Sequence, residues 1–253
     1  MLLVALAFAV TAFLYACIGF GGGSTYNALP VLGNTNYHLI PFISLICNIV
    51  VVSGGVWHFS EEGHVRLPHI APWIVFSVPA SFAGGLISVP EVIFTGILGF
   101  ALLLSGLRLL WPEKEDISFP SLATRDYKYL PAIIGSILGV LAGITGIGGG
   151  IFLAPILHFI RWGNAKQIAG VCAFFILVNS LAGLIGQSIK IDNTDVFSAL
   201  LPYWILLPAV IVGGQIGSWL GAVQINISMA KKMTGYLILY VSARLIMKFI
   251  GLV

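Results

Sequence analysis

Charged side chains are scarce in this sequence. Only 8% of its 253 residues are Asp, Glu, Lys or Arg, whereas soluble domains carry roughly 25%. The hydrophobic share is 58% and the mean hydropathy is +1.03, so there is too little polar surface to coat an apolar core. The composition excludes a water-soluble fold and predicts an integral membrane protein.

Carboxylates are missing from the middle of the apolar runs. All nine acidic residues fall in predicted loops or at the ends of predicted spans. Cation carriers and many proton pumps depend on a carboxylate at membrane depth. The pattern therefore disfavours a metal-ion permease and fits an anion that is bound by neutral dipoles.

Cysteine is rare and is not arranged in pairs. Cys17, Cys47 and Cys172 each lie within an apolar run, and an odd count without ligand spacing argues against a disulfide framework or a metal site. The apolar segments also contain no nucleophile–base pair. The basic residues are scattered, which disfavours nucleic-acid binding. We predict a protein that is not an enzyme and has no catalytic residues, cofactor or metal.

The apolar runs are long and do not alternate with a period of two, so helices are favoured over a barrel. A helix needs about 20 apolar residues to cross the hydrocarbon core, and the second segment of each half is too short for that. The predicted segments are about 2–19, 24–34, 39–58, 69–89 and 91–110, then 129–147, 150–161, 166–187, 198–221 and 230–250.

Sequence blocks recur in the same order in the two halves, which indicates a duplication. A weaker fourth match pairs Asn48 with Asn179. We divide the chain into a first repeat (1–111), a polar cytoplasmic linker (112–128) and a second repeat (129–253). The three clear matches are Gly19-Phe20-Gly21-Gly22-Gly23 with Gly146-Ile147-Gly148-Gly149-Gly150, Pro79-Ala80 and Gly84-Gly85 with Pro208-Ala209 and Gly213-Gly214, and Gly99 and Arg108-Leu109 with Gly235 and Arg244-Leu245.

The basic residues predict the orientation of the two repeats. If each repeat crosses the membrane an odd number of times and the linker is cytoplasmic, nine of the 12 basic residues lie inside, as the positive-inside rule requires. The repeats are then inverted, as in many secondary transporters. We expect an all-α membrane protein of two inverted repeats, each with a helix, a glycine-broken half-helix and three further spans, in total eight to ten membrane segments.

The two glycine blocks lie within apolar sequence, where each glycine costs a helix about 1 kcal/mol. Broken backbone at membrane depth is tolerated where it is buried in protein or lines a cavity. A helix that restarts after the break directs bare N–H groups and its positive dipole end at that place, which favours an anion. Close helix packing is the alternative, although packing glycines are usually four residues apart.

Polar residues near the two breaks are the candidates for substrate contact. Ser24 and Thr25 either cap the first half-helix or touch the ligand. Asn48 and Asn179 either bond between helices or donate to the substrate, since an unpaired amide in hydrocarbon is costly. His38 and His158 are candidates for proton coupling. The predicted substrate-binding residues are Gly22, Gly23, Ser24, Thr25, Asn48, Gly148, Gly149, Gly150, Ile151 and Asn179.

The glycine-rich stretch Gly143-Ile144-Thr145-Gly146-Ile147-Gly148-Gly149-Gly150, with its counterpart after Gly19 and the repeated Pro-Ala and Gly-Gly blocks, resembles the sulfite exporter TauE/SafE family. This family is also called the toluene sulfonate uptake permeases. The resemblance covers essentially the whole chain. It implies a multi-pass protein of the bacterial inner membrane that moves sulfite or organosulfonates, for which we expect alternating access. A channel for anions or small solutes with the same architecture is the alternative.

Overall fold

The computed structural model describes residues 2–32, 39–65, 67–111, 129–160, 162–190, 203–224 and 227–251. Within these ranges the chain forms ten α-helices and no strand, which confirms the prediction of an all-α protein. The predicted linker, residues 112–128, lies outside the described residues. The helices are α1 (Leu2–Ala16), α2 (Gly23–Leu32), α3 (Ile40–Glu61), α4 (Leu67–Leu86), α5 (Glu91–Leu110), α6 (Leu130–Thr145), α7 (Gly150–Phe159), α8 (Ala165–Lys190), α9 (Leu206–Val223) and α10 (Ile227–Phe249).

Helix length separates spans from shorter pieces. By length and composition, α3, α5, α8 and α9 are able to cross a membrane, and α4 and α10 have 20 and 23 residues. In contrast, α2 and α7 have only 10 residues each, or about 15 Å at 1.5 Å per residue. The chain is a multi-pass membrane protein in which the segment after each glycine block is a half-helix.

The helices α3 and α8 form an antiparallel pair. A Cβ added to Gly183 would lie 3.7 Å from Leu45, and one added to Gly170 would lie 3.1 Å from Phe59, so residue numbers rise along one helix as they fall along the other. The pair α5 and α10 behaves in the same way, because Gly96 lies against Phe249 and the other end of α5 packs on the start of α10. Each pair joins segments that the sequence repeat matches.

The other large contacts cross between the two halves of the chain. The first helix of each half packs parallel to the fourth helix of the other half, so that α1 lies on α9 and α6 lies on α4. Glycines allow this close approach: a Cβ at Gly217 would lie 2.3 Å from the carbonyl oxygen of Phe13, and one at Gly139 would lie 2.2 Å from that of Ser77. Small residues commonly let membrane helices approach this closely.

These directions make α1–α2 and α6–α7 two hairpins that enter the bundle from opposite ends. The helix α1 runs towards the end that holds the α3–α4 turn, where Cys17 lies against Gly221. After the break the chain returns along α3, because Gly23 reaches Ser44 near the start of that helix. The second hairpin reaches Pro41 with Gly146 and returns along α8. The half-helices therefore re-enter and do not cross.

We predict that Gly217→Ala lowers the melting temperature of the purified protein. The added methyl would meet the backbone of α1, and overpacking of this kind costs about 1–3 kcal/mol. The matched control is Gly55→Ala on α3, where the new Cβ would stand 3.4 Å from Ala173 in ordinary contact. Thermal unfolding in detergent measures both variants, and equal melting temperatures for the two would contradict the close packing of α1 on α9.

Candidate functional site

The two glycine blocks adopt matching backbone conformations at their first and fourth positions, whereas at the third position only Gly148 has a positive φ. Gly19 and Gly146 have φ of +75° and +72°, and Gly22 and Gly149 have φ of +85° and +80°, a region in which residues with a Cβ are disfavoured. Gly146 caps the end of α6 and Gly149 precedes the first residue of α7. Each block is therefore a helix stop followed by a restart, and both are fully buried.

Both half-helices begin near the middle depth of the bundle. Gly21 lies against Val52 on α3, and Gly148 lies against Ser180 on α8. These two positions are at similar depth because α3 and α8 are antiparallel. From there α2 runs towards one end of the bundle and α7 towards the other. The positive ends of two helix dipoles thus meet near mid-depth.

The backbone amides at the two restarts are bare. The amides of Thr25 and Tyr26 bond to the carbonyl of Gly22, and those of Phe152 and Leu153 bond to that of Gly149. Over the described ranges, no acceptor is recorded for the amides of residues 21–24 and 147–151, all of which are buried. Buried amides normally have a partner. These two rows of amides are donors for which the described part of the chain supplies no backbone acceptor.

Two side chains of α3 hold the breaks together. The hydroxyl oxygen of Ser44 lies 3.0 Å from the carbonyl oxygen of Gly23 and 3.0 Å from that of Gly146. One turn later, Nδ2 of Asn48 donates to the carbonyl of Gly146 over 3.2 Å. Asn48 reaches this place because a Cβ at Gly21 would stand only 2.3 Å from its Oδ1. The glycines therefore also make room for polar side chains.

Three of the eight unpartnered buried side-chain atoms in the described part of the chain lie against the break glycines. Oδ1 of Asn48, the hydroxyl of Tyr26 and the hydroxyl of Ser180 are buried and make no hydrogen bond. Each lies 2.3–2.8 Å from where a Cβ on a neighbouring break glycine would stand. Buried polar groups without partners carry a free-energy cost, and these three add acceptors and hydroxyls to the rows of bare amides.

Ser24 and Thr25 take a role that the sequence did not suggest. The Ser24 hydroxyl donates to the hydroxyl oxygen of Tyr15 over 2.8 Å, and the Tyr15 hydroxyl lies 3.0 Å from Oγ1 of Thr25. All three side chains are buried. The two hydroxyls brace α2 against α1 within the hairpin.

Asn179 is not the counterpart of Asn48. Its Nδ2 donates to the Ser77 hydroxyl over 3.0 Å and to the Phe175 carbonyl over 2.8 Å, so it bonds between helices. The residue that lies against the second break is Ile176, which a Cβ at Gly148 would approach to 2.6 Å.

The weak match between the two asparagines is therefore wrong by three residues. A shift of three residues moves a side chain about 4.5 Å along the helix and roughly 60° around it. That displacement is enough to turn the Asn179 amide away from the second break and towards α4.

The surroundings of the two breaks differ at one further position. Asn27, four residues after Gly23, donates through Nδ2 to the carbonyl of Thr145 beside the second break. Ala154 stands four residues after Gly150 and makes no such bond, since it has no polar side chain. Beside Ala154 a small recess reaches Phe20 of the first break. The second break is thus held by a hydrogen bond from Asn27, and the first break borders a recess.

Of the two predicted proton-coupling histidines, the structure places one. His158 lines the recess beside the first break, and His38 lies outside the described residues. At the α3–α4 end, burial and then the nearby charge of Lys166 lower the pKa of His64 below its usual 6.5, so this loop histidine is uncharged near neutral pH.

Sequence reasoning missed three residues at the breaks. Ser44 lies four residues before Asn48, so both share one helix face, and that spacing was a usable signal. Ser180 lies beside Gly148 only because of the packing of α8, and Tyr26 reads as an ordinary aromatic residue. Neither gives a signal in the sequence.

Apolar helices that carry two buried and uncharged helix breaks at mid-depth are typical of membrane transport proteins. The family model described as Sulfite exporter TauE/SafE matches residues 3–245, and the chain belongs to this family. A probable membrane transporter protein, y4hK of Sinorhizobium fredii (strain NBRC 101917 / NGR234), is 30% identical over 244 residues, which cover 96% of this chain and 97% of that protein. No solved structure shows a significant match. The resemblance inferred from the glycine motifs is confirmed.

We predict that Ser44→Ala destabilises the protein by about 1–3 kcal/mol, because the buried carbonyl of Gly23 loses this side-chain donor and that of Gly146 keeps only Asn48. Chemical or thermal unfolding in detergent measures the change. Ser53→Ala on the same helix is the control, since Ser53 is exposed and bonds to its own helix at Ile49. Equal stabilities for the two variants would show that Ser44 does not hold the breaks.

Proposed function

We propose that this protein is a secondary transporter that carries a small sulfur oxyanion or an organosulfonate across the bacterial inner membrane by alternating access. The observation that supports it is the pair of bare amide rows at mid-depth, one at the start of α2 and one at the start of α7. The description of the family to which the chain belongs, Sulfite exporter TauE/SafE, points to the same class of substrate.

The chemistry of the breaks favours an anion. The side chains that lie against the break glycines, such as Asn48, Tyr26, Ile176 and Ser180, are all uncharged. An oxyanion presents several acceptor oxygens, and converging N–H groups satisfy them without a buried cation. A cation would instead face the positive ends of two helix dipoles. In a site of low dielectric these fixed dipoles act more strongly than they would in water.

Two features support alternating access. Matched helices of the two halves are antiparallel, as inverted repeats require, and transporters of that plan rock one repeat against the other around a central site. The recess at the first break and the Asn27 bond at the second break make the two paths unequal. In our proposal the structure is a state that is closed at the second break, and transport requires the Asn27 bond to open.

The proposed orientation places the α3–α4 end in the cytoplasm. Arg108 and Lys166 lie at that end of their helices, whereas Arg244 and Lys248 lie near the opposite end of α10. This agrees with an excess of basic residues inside. The recess beside His158 then opens from the cytoplasmic side.

We predict that Gly149→Ala lowers sulfite transport in proteoliposomes at least about tenfold. At φ +80° the new Cβ is strained and would meet the Phe175 ring at 3.0 Å, so the bare amides of α7 must shift. A loss of only about 1.4 kcal/mol in binding accounts for a tenfold effect. Radiolabelled flux and a melting curve of the same preparation separate loss of transport from loss of folding.

The matched control is Gly63→Ala in the turn after α3. Gly63 also has a positive φ, of +70°, but a Cβ there meets nothing within 4 Å, so it carries the backbone strain without touching a break. We expect its flux to stay at the wild-type rate.

Saturable flux that is stimulated by substrate on the opposite side supports a carrier, and flux without such stimulation supports a channel. An unimpaired Gly149→Ala variant would refute the amide site.

A further inference from the structure

The site between the breaks offers a fixed acceptor as well as donors. Asn48 is 0% exposed and its Oδ1 has no partner. The orientation of this amide is set by its other end, because Nδ2 donates to the carbonyl of Gly146. Flipping the amide would press Oδ1 against that carbonyl. The unpartnered atom that lies against Gly21 is therefore Oδ1, a hydrogen-bond acceptor. The backbone amides of the two breaks are donors, so they do not offer a ligand this kind of contact.

A fully deprotonated oxyanion cannot satisfy this acceptor, because it has only acceptor oxygens of its own. The hydroxyls of Tyr26 and Ser180 do not distinguish ligands, since a hydroxyl donates or accepts as required. Oδ1 of Asn48 distinguishes them, because it needs a hydrogen-bond donor. The ligand that fits has an O–H group beside its negatively charged oxygens.

The charge of the site selects in the same direction. Each helix N-terminus is equivalent to about +0.5 of an elementary charge, so the starts of α2 and α7 together supply about one positive charge. The surrounding side chains are uncharged. The cost of burying an ion in a medium of low dielectric rises with the square of its charge in the Born treatment. A monoanion is therefore matched, and a dianion keeps about one negative charge uncompensated.

We propose that the transported species is a singly protonated, singly charged oxyanion, hydrogen sulfite rather than sulfite dianion. Its O–H donates to Oδ1 of Asn48, and its other oxygens accept from the amides of the two breaks. This inference rests on the proposed transport of sulfur oxyanions. Each sulfite that binds takes up one proton on the side where it loads and releases it on the other side. The proton travels with the substrate, and no histidine has to carry it.

The test measures ligand-dependent stabilisation of the full-length protein in detergent at a series of pH values on both sides of the second dissociation of sulfite. We expect the apparent Kd for total sulfite to rise about tenfold for each pH unit above that dissociation, because the protonated fraction falls tenfold. Methanesulfonate keeps one charge and has no O–H, so its Kd should be larger and independent of pH. Sulfate, a dianion throughout, should not stabilise the protein.

A variant isolates the acceptor. Asn48→Ile places at the first break the residue type that Ile176 supplies at the second, and it should weaken hydrogen sulfite binding at least about tenfold more than it weakens methanesulfonate binding. A purely structural role of Asn48 would lower both equally. The matched control is Gln187→Met: Gln187 is also a buried amide with an unpartnered oxygen, and its Nε2 donates to the Gly143 carbonyl. It should leave the ratio of the two affinities unchanged.

The outcomes separate this inference from the proposed function. A Kd for total sulfite that is constant or falls as pH rises, or stabilisation by sulfate equal to that by sulfite, would overturn the selection of a protonated monoanion while leaving anion transport intact. An equal effect of Asn48→Ile on both ligands would remove the role of its Oδ1. Failure of every anion to stabilise the wild-type protein would overturn the proposed function itself.

Discussion

The structure depends on how peptide groups are satisfied where two helices are interrupted inside a membrane bundle. At both breaks the carbonyl groups obtain donors from side chains, since Ser44 and Asn48 reach Gly23 and Gly146. Among the described residues the amide groups obtain no matching backbone acceptors. This imbalance leaves a buried region rich in donors, and the side chains described against the break glycines are uncharged. In the proposed function an anion completes these hydrogen bonds, and its binding depends mainly on the backbone.

The packing of the helices brings these two interruptions together. Antiparallel α3 and α8 form the surface against which both restarts lie, and the hairpins enter from opposite ends. Glycines at the contacts of α1 with α9 and of α4 with α6 let backbones approach closely, which suits membrane helices because apolar packing alone gives little drive for association in lipid. The first helix of each half packs on the fourth helix of the other half, so each break contacts both halves of the chain.

The two halves share a backbone plan and differ in the side chains laid on it. The position that Asn48 occupies at the first break is occupied by Ile176 at the second, and the position of Asn27 is occupied by Ala154. Asn48 therefore adds an unpartnered acceptor at the first break, and Asn27 adds a hydrogen bond to Thr145 beside the second break. In the proposed function a small ligand meets unlike groups at the two restarts, which favours a single bound orientation. The shared geometry comes from positive-φ glycines, and we propose that selectivity comes from the unlike side chains.

Hydropathy and glycine spacing were sufficient to predict the all-α membrane fold, the two short half-helices and the bare amides after each glycine block. These are local properties, because hydrocarbon forces backbone pairing within each segment and a positive φ requires glycine. Only the tertiary structure showed that the half-helices re-enter, that Ser44 and Ser180 lie at the breaks and that the Asn179 amide bonds to Ser77 on α4. Those outcomes depend on which face of one helix meets another, and a slip of three residues, invisible in composition, turns a side chain from the site to a different neighbour.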